Sequence, residues 1–278
     1  MLGTALDGYL SGLSSMTLER ASRDGGIDGA AGKKFDAEIF LEKPEAFEWL
    51  KEFDYILNAI GVIKPYCKET DHLGCARAMR INGLFPRALA GFIRNTSVKV
   101  IQIASDCVFF GKTGSYDELS PHDAHDVYGK SKSFGEIHTD RMLHVRCSII
   151  GREKKSKLSL LEWFLSQPKG ATVQGYDHHL WNGVTTLQFA QLCEKIMVGQ
   201  HFDRLRAESP VHHFLPNETV SKYQLLQLFS EIFDHSVKID RIQRSNDAIN
   251  RTLSSRFKTL AQIFLESSQK RAIMELAR

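Results

Sequence analysis

Three apolar runs separated by helix-like segments constrain the fold of this chain most strongly. Residues 54–63, 98–105 and 143–150 are nearly continuous in apolar residues, which is typical of strands buried on both faces of a parallel sheet. Between them, residues 73–94 have apolar positions at helical spacing, and a second helix is predicted from about Asp126 to Thr139. The alternation predicts an α/β fold with a Rossmann-like, doubly wound parallel sheet.

The pattern changes after Gly151, where shorter amphipathic segments follow one another. Helices are predicted over residues 160–167, 184–197, 220–234 and 256–274. Ser221 is placed to cap the third of these. A chain of 278 residues is long enough for one large domain and a smaller lobe. We therefore predict a Rossmann-like domain over residues 1–151 and a smaller α+β lobe over residues 152–278, packed on the first.

Composition and charge exclude several classes of protein. The net charge of +3 is too small for a chain of this size to indicate a nucleic-acid partner. No apolar run is long enough to span a membrane, and no signal series opens the chain, so a cytoplasmic location is expected. The five cysteines form no C-x-x-C pair, and the histidine pairs at 178–179 and 212–213 have no carboxylate at ligand spacing. We therefore expect neither a disulfide framework nor a metal site.

The N-terminal segment departs from the usual start of a dinucleotide-binding sheet. Such a sheet opens with an apolar strand that runs into a glycine loop, and neither precedes the first predicted helix here. Gly3 is a candidate for the last glycine of that loop, with Leu6 and Leu10 on the buried face of the helix behind it. Residues 16–26 are the candidate second strand. Two explanations of the missing strand and loop stay open: the protein starts upstream of Met1, or these elements have been truncated.

The stretch DVYGKSKSFGE at residues 126–136 is the most informative for chemistry. Tyr128 and Lys132 are four residues apart, so they share one face of a helix. A tyrosine beside an ammonium group can act as a proton donor to a reacting carbonyl. Alone, the pair is better explained as two surface residues of a helix, since tyrosine and lysine are common residues. Ser105, at the end of a predicted strand where open α/β sheets bind ligands, strengthens the catalytic interpretation.

Residues 104–136 resemble the extended short-chain dehydrogenases, and most of all the dTDP-4-dehydrorhamnose reductase branch, a sugar-nucleotide-binding family. The branch has a Ser/Thr-Asp-x-Val-Phe-x-Gly stretch, a Tyr-x-Glu, a proline, and a Tyr-Gly-x-x-Lys followed by Gly-Glu. The matching residues are Ser105, Asp106, Val108, Phe109, Gly111, Tyr116, Glu118, Pro121, Tyr128, Gly129, Lys132, Gly135 and Glu136. Weaker matches are DYILNAIG at 54–61, Asn82, and VRCSIIG at 145–151.

The resemblance implies a catalytic triad and a nicotinamide cofactor. Ser105 would polarise a keto oxygen, Tyr128 would protonate it, and Lys132 would tune the tyrosine and hold the cofactor ribose. Arginines suit the 2′-phosphate of NADP, so NADP is favoured over NAD. The residues expected to contact the cofactor, besides Tyr128 and Lys132, are Gly3, Arg20, Arg23, Asp36, Ala59, Gly61 and Ser148. For both arginines, a solvated loop position is the competing interpretation.

The second half is expected to hold the substrate, together with Ser105. Trp181 and Asn182 fall where relatives place substrate contacts, and Arg251 is a candidate for binding a diphosphate. Core packing for Trp181 and a surface ion pair for Arg251 are the alternatives. Cys107 stands where the family usually has tyrosine, and the first strand and two loop glycines are missing, so the substrate is not fixed by the resemblance.

The function implied is NADPH-dependent reduction of a 4-keto-6-deoxy nucleotide sugar for cell-surface polysaccharide synthesis. An epimerase or dehydratase of the same fold is one alternative, although Asp106 and Cys107 are a poor acid–base pair for dehydration. A non-catalytic binding or regulatory relative is another, favoured by the missing glycine loop and opposed by the intact triad. The expected partner is a nucleotide sugar, with no nucleic acid and no membrane. The oligomeric state is open, with a homodimer among the alternatives.

Overall fold

A parallel sheet contains all three of the predicted apolar strands. The computed structural model describes residues 1–153, 157–243 and 248–278. The strands are β1 (Ala21–Ser22), β2 (Gly26–Ile27), β3 (Ala30–Ala31), β4 (Lys33–Lys34), β5 (Tyr55–Asn58), β6 (Lys99–Ser105), β7 (Met142–Cys147), β8 (Ile149–Ile150), β9 (Thr172–Tyr176), β10 (Leu180–Trp181), β11 (Val184–Thr185), β12 (Val211–His213), β13 (Val220–Ser221) and β14 (Lys238–Ile242).

The helices lie on both faces of this sheet and in the second half of the chain. They are α1 (Leu2–Leu10), α2 (Ala37–Glu42), α3 (His72–Ala78), α4 (Phe85–Phe92), α5 (Val127–Gly135), α6 (Leu160–Leu165), α7 (Thr186–Val198), α8 (Phe202–Glu208), α9 (Lys222–Ile232), α10 (Thr259–Ile263) and α11 (Gln269–Ala277). Shorter 3₁₀ segments occupy Pro44–Glu52, Lys64–Tyr66 and Asp106–Val108, and a π-helical stretch at Met79–Leu84 joins α3 to α4.

The central sheet has the strand order β12–β7–β6–β5, with every neighbouring pair parallel. Along β6, alternate residues face opposite layers: Val100 packs with the layer of α2 and α4, while Ile101 packs with the layer of α1 and α7. This two-layer burial explains why the strands are almost uniformly apolar. The predicted α/β fold with a doubly wound parallel sheet is confirmed. The strand predicted over 54–63 is shorter than expected, because regular pairing with β6 stops at Asn58.

The carboxyl ends of the parallel strands lie side by side. Ser105 at the end of β6 pairs with Cys147 at the end of β7, and Asn58 at the end of β5 pairs with Gln102. The segments that leave these ends therefore start from one edge of the sheet, where ligands bind in open α/β folds.

The second half contributes to the central sheet as well as to its own core. Strand β12 adds to the sheet beside β7, and α7 packs on the same face as α1. Helices α6, α9 and α11 enclose a separate apolar cluster that includes Leu161, Phe229 and Ile273. The division of the chain at residue 151 stays a prediction about its domain organisation.

The helix predicted to run to about Thr139 ends at Gly135, and two other expectations about secondary structure are wrong. The helix predicted over 256–274 is divided into α10 and α11, because Ser267 donates from its backbone N–H to the Pro216 carbonyl at 2.8 Å and Ser268 then caps α11. Residues 16–26 do not form a strand of the central sheet. Strands β2 and β3 instead form a local hairpin at Asp28–Gly29, where both residues have positive φ, the geometry of a tight two-residue turn.

Candidate active site

Ser105 lies at the carboxyl end of β6 and is buried. Its hydroxyl accepts a hydrogen bond from the Cys107 N–H at 3.1 Å, which starts the short 3₁₀ turn Asp106–Val108. The strand end and the turn together fix the serine side chain at the ligand-binding edge of the sheet. Asp106, the next residue, is also buried, and burial raises the pKa of its carboxyl group.

Helix α5 carries Tyr128 and Lys132 and begins at a well-defined cap. The Asp126 carboxylate accepts from the Gly129 N–H at 2.7 Å and pairs with the Lys64 ammonium at 2.8 Å. Because the cap fixes the first turn, the direction of Tyr128, in that turn, is fixed as well.

Two glycines let α5 approach its neighbours at backbone contact. A Cβ at Gly129 would lie 2.3 Å from the Cys107 carbonyl oxygen, and one at Gly135 would lie 2.0 Å from the Asn82 carbonyl oxygen. Asn82 in turn donates to the Val62 carbonyl at 2.9 Å and accepts from the Val62 N–H at 2.8 Å. The helix is therefore held directly against the loops that leave β5 and β6.

The electrostatic surroundings of Tyr128 favour its protonated form. Burial raises the pKa of Tyr128 well above its ordinary value, and the Ser105 side chain acts in the opposite direction. Burial also lowers the pKa of Lys132 to about 8, while the charge of Glu136 one turn further along works against that shift. The raised pKa keeps Tyr128 protonated but also makes it a weaker acid than a free tyrosine, and Lys132 is not among the main groups that shift it.

Gly61 brings the loop after β5 into contact with the lysine. A Cβ at Gly61 would lie 3.0 Å from the Lys132 Nζ and 3.2 Å from the Asn82 Oδ1. A side chain here would take the space directly in front of the ammonium group. The glycine thus leaves room for access to Lys132 from the side of β5.

A cavity of about 1710 Å³ runs along β5, and six of the predicted cofactor residues line it. Its volume exceeds that of ordinary small-molecule pockets, which reach about 1,000 Å³, because it follows the whole edge of β5 that faces away from β6, from Ser97 and Lys99 at one end to Gly61 at the other. A dinucleotide would occupy only the part at the carboxyl end. Ser105, Ser148, Tyr128 and Lys132 are not among its lining residues, but Gly61 connects it to Lys132. The six residues are Gly3, Arg20, Arg23, Asp36, Ala59 and Gly61.

The residues around this cavity fit a dinucleotide in part. Gly3 lies inside α1 and not in a loop, because the helix already begins at Leu2, while Leu6 and Leu10 are buried as predicted. Met1, Gly3 and Thr4 face the cavity, so the unpaired N–H groups of the first helical turn would meet a phosphate there. A glycine loop would add further donors, and residues 1–10 do not provide one.

The other cofactor candidates have protein partners of their own. Arg20 forms an ion pair with Asp7, and Asp36 caps α2 by accepting from the Glu38 N–H at 2.8 Å. Ser148 lies just beyond β7, and its carbonyl accepts from the Val184 N–H at 2.8 Å. The structure thus gives Arg20 and Asp36 structural bonds that the sequence did not indicate, while both still line the cavity.

The predicted substrate residues meet on a small sheet in the second half. Trp181 is buried in β10. Asn182 donates to the Leu253 carbonyl at 2.8 Å and accepts from the Leu253 N–H at 3.0 Å. Asn182 therefore anchors the segment that carries Arg251. The guanidinium Nε of Arg251 donates to the Phe109 carbonyl at 2.9 Å, so the surface ion pair considered above is not what holds this arginine.

A buried charged network that the sequence did not predict supports the far end of α5. Arg146 is fully buried and binds both carboxylate oxygens of Glu136, at 2.6 and 3.1 Å. Its guanidinium also lies 2.6 Å from the Nε2 of His213 and 2.9 Å from the Nε2 of His122. The Nδ1 of His213 lies 2.7 Å from the Ser254 carbonyl oxygen, so Nδ1 carries the ring hydrogen and donates it. The Nε2 of the same ring then accepts a hydrogen bond from Arg146. Glu136 belonged to the quoted motif, but its partners come from distant segments.

Comparison with known families agrees with this geometry. A family model described as the RmlD substrate binding domain matches residues 52–259, most of the chain. The chain belongs to the RmlD family. No curated protein sequence matches it significantly.

Solved structures with the same fold include both reductases and dehydratases. A hypothetical dTDP-4-dehydrorhamnose reductase from Sulfolobus tokodaii has a TM-score of 0.75 at 21% identity, over 96% of this chain and 92% of that one. A dTDP-4-dehydrorhamnose reductase from Bacillus anthracis in complex with NADP has a TM-score of 0.67 at 15% identity, over 87% and 88%. A dTDP-glucose 4,6-dehydratase from the same organism, with NAD, has a TM-score of 0.71 at 12% identity, over 100% and 92%. This RmlD-family chain thus shares its fold with both.

Proposed function

We propose that this RmlD-family protein catalyses the NADPH-dependent reduction of a 4-keto-6-deoxy nucleotide sugar. One observation carries the proposal: α5 holds Tyr128 and Lys132 in backbone contact with the turn that follows Ser105, at the carboxyl edge of the sheet. Gly61 connects this group to the cavity along β5, which six of the predicted cofactor residues line. Reductases among the structural neighbours, one with NADP bound, support the assignment.

Each residue of the triad has a distinct task in this reaction. The Ser105 hydroxyl would donate a hydrogen bond to the keto oxygen and keep it beside Tyr128. Tyr128, whose raised pKa keeps it protonated, would give its proton to the alkoxide that forms. Lys132 would supply positive charge next to the tyrosine. Bound NADPH would supply the hydride for the carbonyl carbon.

NADPH is the proposed cofactor because arginines line the cavity near the expected position of the adenosine. Arg23 is the better candidate for a 2′-phosphate, since Arg20 is already paired with Asp7. Asp36 lies at the same cavity and is proposed to contact the adenine.

Reduction is favoured over dehydration or epimerisation by the two residues after Ser105. Those reactions need an additional acid and base beside the sugar. Burial raises the pKa of the Cys107 thiol to about 12, so the thiol stays protonated and is unsuited to the role of base. Asp106 alone does not complete an acid–base pair.

The proposal is tested by NADPH binding followed by turnover. We expect NADPH to raise the melting temperature of the chain, and dTDP-4-keto-6-deoxyglucose to be reduced with loss of NADPH absorbance. Tyr128→Phe should bind NADPH normally but lose about 10²–10⁴-fold in rate, the usual contribution of general acid catalysis. Absence of any NADPH-induced shift would refute the proposal and favour a non-catalytic relative.

We also propose where the enzyme acts and how it assembles. All five cysteines are free, which suits the reducing cytoplasm. In the described residues, no helix is long and apolar enough to cross a membrane. The nucleotide-sugar product would feed cell-surface polysaccharide assembly, and a homodimer is the assembly we would test first.

A further inference from the structure

Two cationic side chains from distant parts of the chain converge beside the turn that follows Ser105. Strand β10 pairs with β13 on one side, Leu180 opposite Ser221, and bridges to Asn250 on the other. Lys222 directly follows β13, and Arg251 directly follows Asn250. Both are close enough to Asp106 for their charges to lower its pKa against the opposing effect of burial. The small sheet therefore places two cations opposite one buried carboxyl group.

Lys222 is held in place by contacts that are not ion pairs. It is the first residue of α9, whose cap is a reciprocal pair of bonds between Ser221 and Gln224. Its Nζ lies 5.3 Å from the centre of the Trp181 ring, a cation–π distance. Among the residues that the structure describes, Lys222 makes no side-chain hydrogen bond or ion pair. Burial lowers the pKa of Lys222 to about 8, although the charge of Asp106 acts in the opposite direction.

Arg251 is also held in place through its Nε, while the terminal nitrogens of its guanidinium group are left for a ligand. Its Nε is bonded to the Phe109 carbonyl. Gly111, at φ +98°, lets the arginine stem pass, since a Cβ there would lie 2.9 Å from the Arg251 Cγ. Within the described ranges, its terminal nitrogens have no carboxylate within ion-pair distance. The two terminal nitrogens of a guanidinium group can bind two oxygens of a phosphate at once, which makes arginine the side chain best suited to binding phosphate.

The balance of charge at this cluster points to an anionic ligand. Asp106 supplies at most one negative charge, and burial favours its neutral form. Lys222 and Arg251 supply two positive charges. Both cations are half-buried, so an anionic ligand would complete charges that the single carboxyl group of Asp106 does not balance.

We propose that Lys222, together with Arg251, binds the diphosphate of the substrate and so sets the position of the sugar at Ser105. This inference rests on the proposed function for its substrate class, but not on turnover. The cation–π contact with Trp181 would help to hold the Lys222 ammonium group in position. The sequence alone indicates Arg251 and Trp181 as substrate contacts. It does not indicate Lys222, because only the pairing of β10 with β13 brings this lysine close to them.

The direct test is calorimetric titration of the full chain with dTDP and with UDP, without NADPH. We expect Lys222→Met to weaken binding of both by about tenfold or more, the usual effect of losing a charge-assisted bond. Lys222→Arg should retain most of the affinity. Lys270→Met is the matched control, because Lys270 is an exposed lysine paired with Glu231, and it should bind like the wild type.

A second readout separates phosphate binding from a structural role. Since the pKa of free Lys222 is about 8 and a bound phosphate requires the charged form, binding near pH 8 should take up a proton in the wild type and not in Lys222→Met. Titrations in two buffers of different ionisation enthalpy measure that proton.

Three outcomes would overturn the inference. One is unchanged dTDP affinity in a folded Lys222→Met variant, and another is proton uptake that persists in it. The third is Lys222-dependent binding of free glucuronate but not of dTDP, which would assign the site to a sugar carboxylate. A chain that binds dTDP through Lys222 but does not oxidise NADPH would refute the proposed function and leave this inference standing.

Discussion

The contact between α5 and the Ser105 turn can be tested by adding one methyl group at Gly129. In Gly129→Ala, the new Cβ would lie 2.3 Å from the Cys107 carbonyl oxygen and 2.4 Å from the Ala124 Cβ. The first of these contacts must open by about 0.7 Å to reach the 3.0 Å that real Cβ atoms keep. The neighbour is backbone, so the movement falls on α5 or on the turn.

The displacement should cost both stability and rate. Overpacking of this kind destabilises by about 1–3 kcal/mol, which denaturant unfolding would measure. A shift approaching 1 Å between Tyr128 and Ser105 should reduce the rate of NADPH-dependent reduction by about 10²-fold. The two effects arise from the same contact and should appear together.

Gly91→Ala provides the matched control. Gly91 lies in α4, and a Cβ there meets nothing within 4 Å. The control should be as stable as the wild type or more stable by up to about 1 kcal/mol, since alanine favours the helix. Wild-type rate and stability in Gly129→Ala would refute the view that glycine is required at this contact.

Three further predictions concern the surroundings of the triad. Glu136→Gln leaves the buried Arg146 unpaired and should destabilise by about 3–5 kcal/mol in denaturant unfolding; a loss under 1 kcal/mol would contradict this. Burial and then the charge of Arg146 lower the pKa of His213 to about 4, so below its unfolded value of about 6.5 only the unfolded chain gains a proton. Stability should therefore fall by about 3 kcal/mol between pH ~6.5 and ~4, and a His213→Gln variant with the same pH slope would count against this. Gly61→Ala should weaken NADPH binding, measured by fluorescence titration, because its Cβ crowds the Lys132 ammonium; unchanged affinity would argue against that contact.

The sequence predicted the parts of the fold and site that depend on local patterns. The apolar runs became β5, β6 and β7 because strands buried on both faces need apolar residues throughout. Ser221 caps α9 as predicted. Placing Ser105 at a strand end and Tyr128 and Lys132 on one helix needed only spacing and the family resemblance.

What the sequence did not predict depends on contacts between distant segments. The convergence of Lys222 with Arg251 requires β10 to lie between β13 and Asn250. The Arg146 network joins segments more than 60 residues apart. Within the strand expected at 16–26, only β1 (Ala21–Ser22) is extended and paired as a regular strand before β2, and it pairs with β4 and not with the central sheet, a partner that the local pattern does not indicate.

If this chain transfers hydride from NADPH to a keto sugar nucleotide with Tyr128 as the proton donor, an isotope on the cofactor should appear in the sugar. The measurement uses NADPH deuterated at nicotinamide C4, with dTDP-4-keto-6-deoxyglucose as substrate and mass spectrometry of the product. We expect one deuterium on the sugar C4 with the wild type, and almost none with Tyr128→Phe in the same time. A wild-type chain that binds NADPH but leaves the sugar unlabelled would refute hydride transfer, and a Tyr128→Phe variant that labels it equally fast would refute the role of Tyr128.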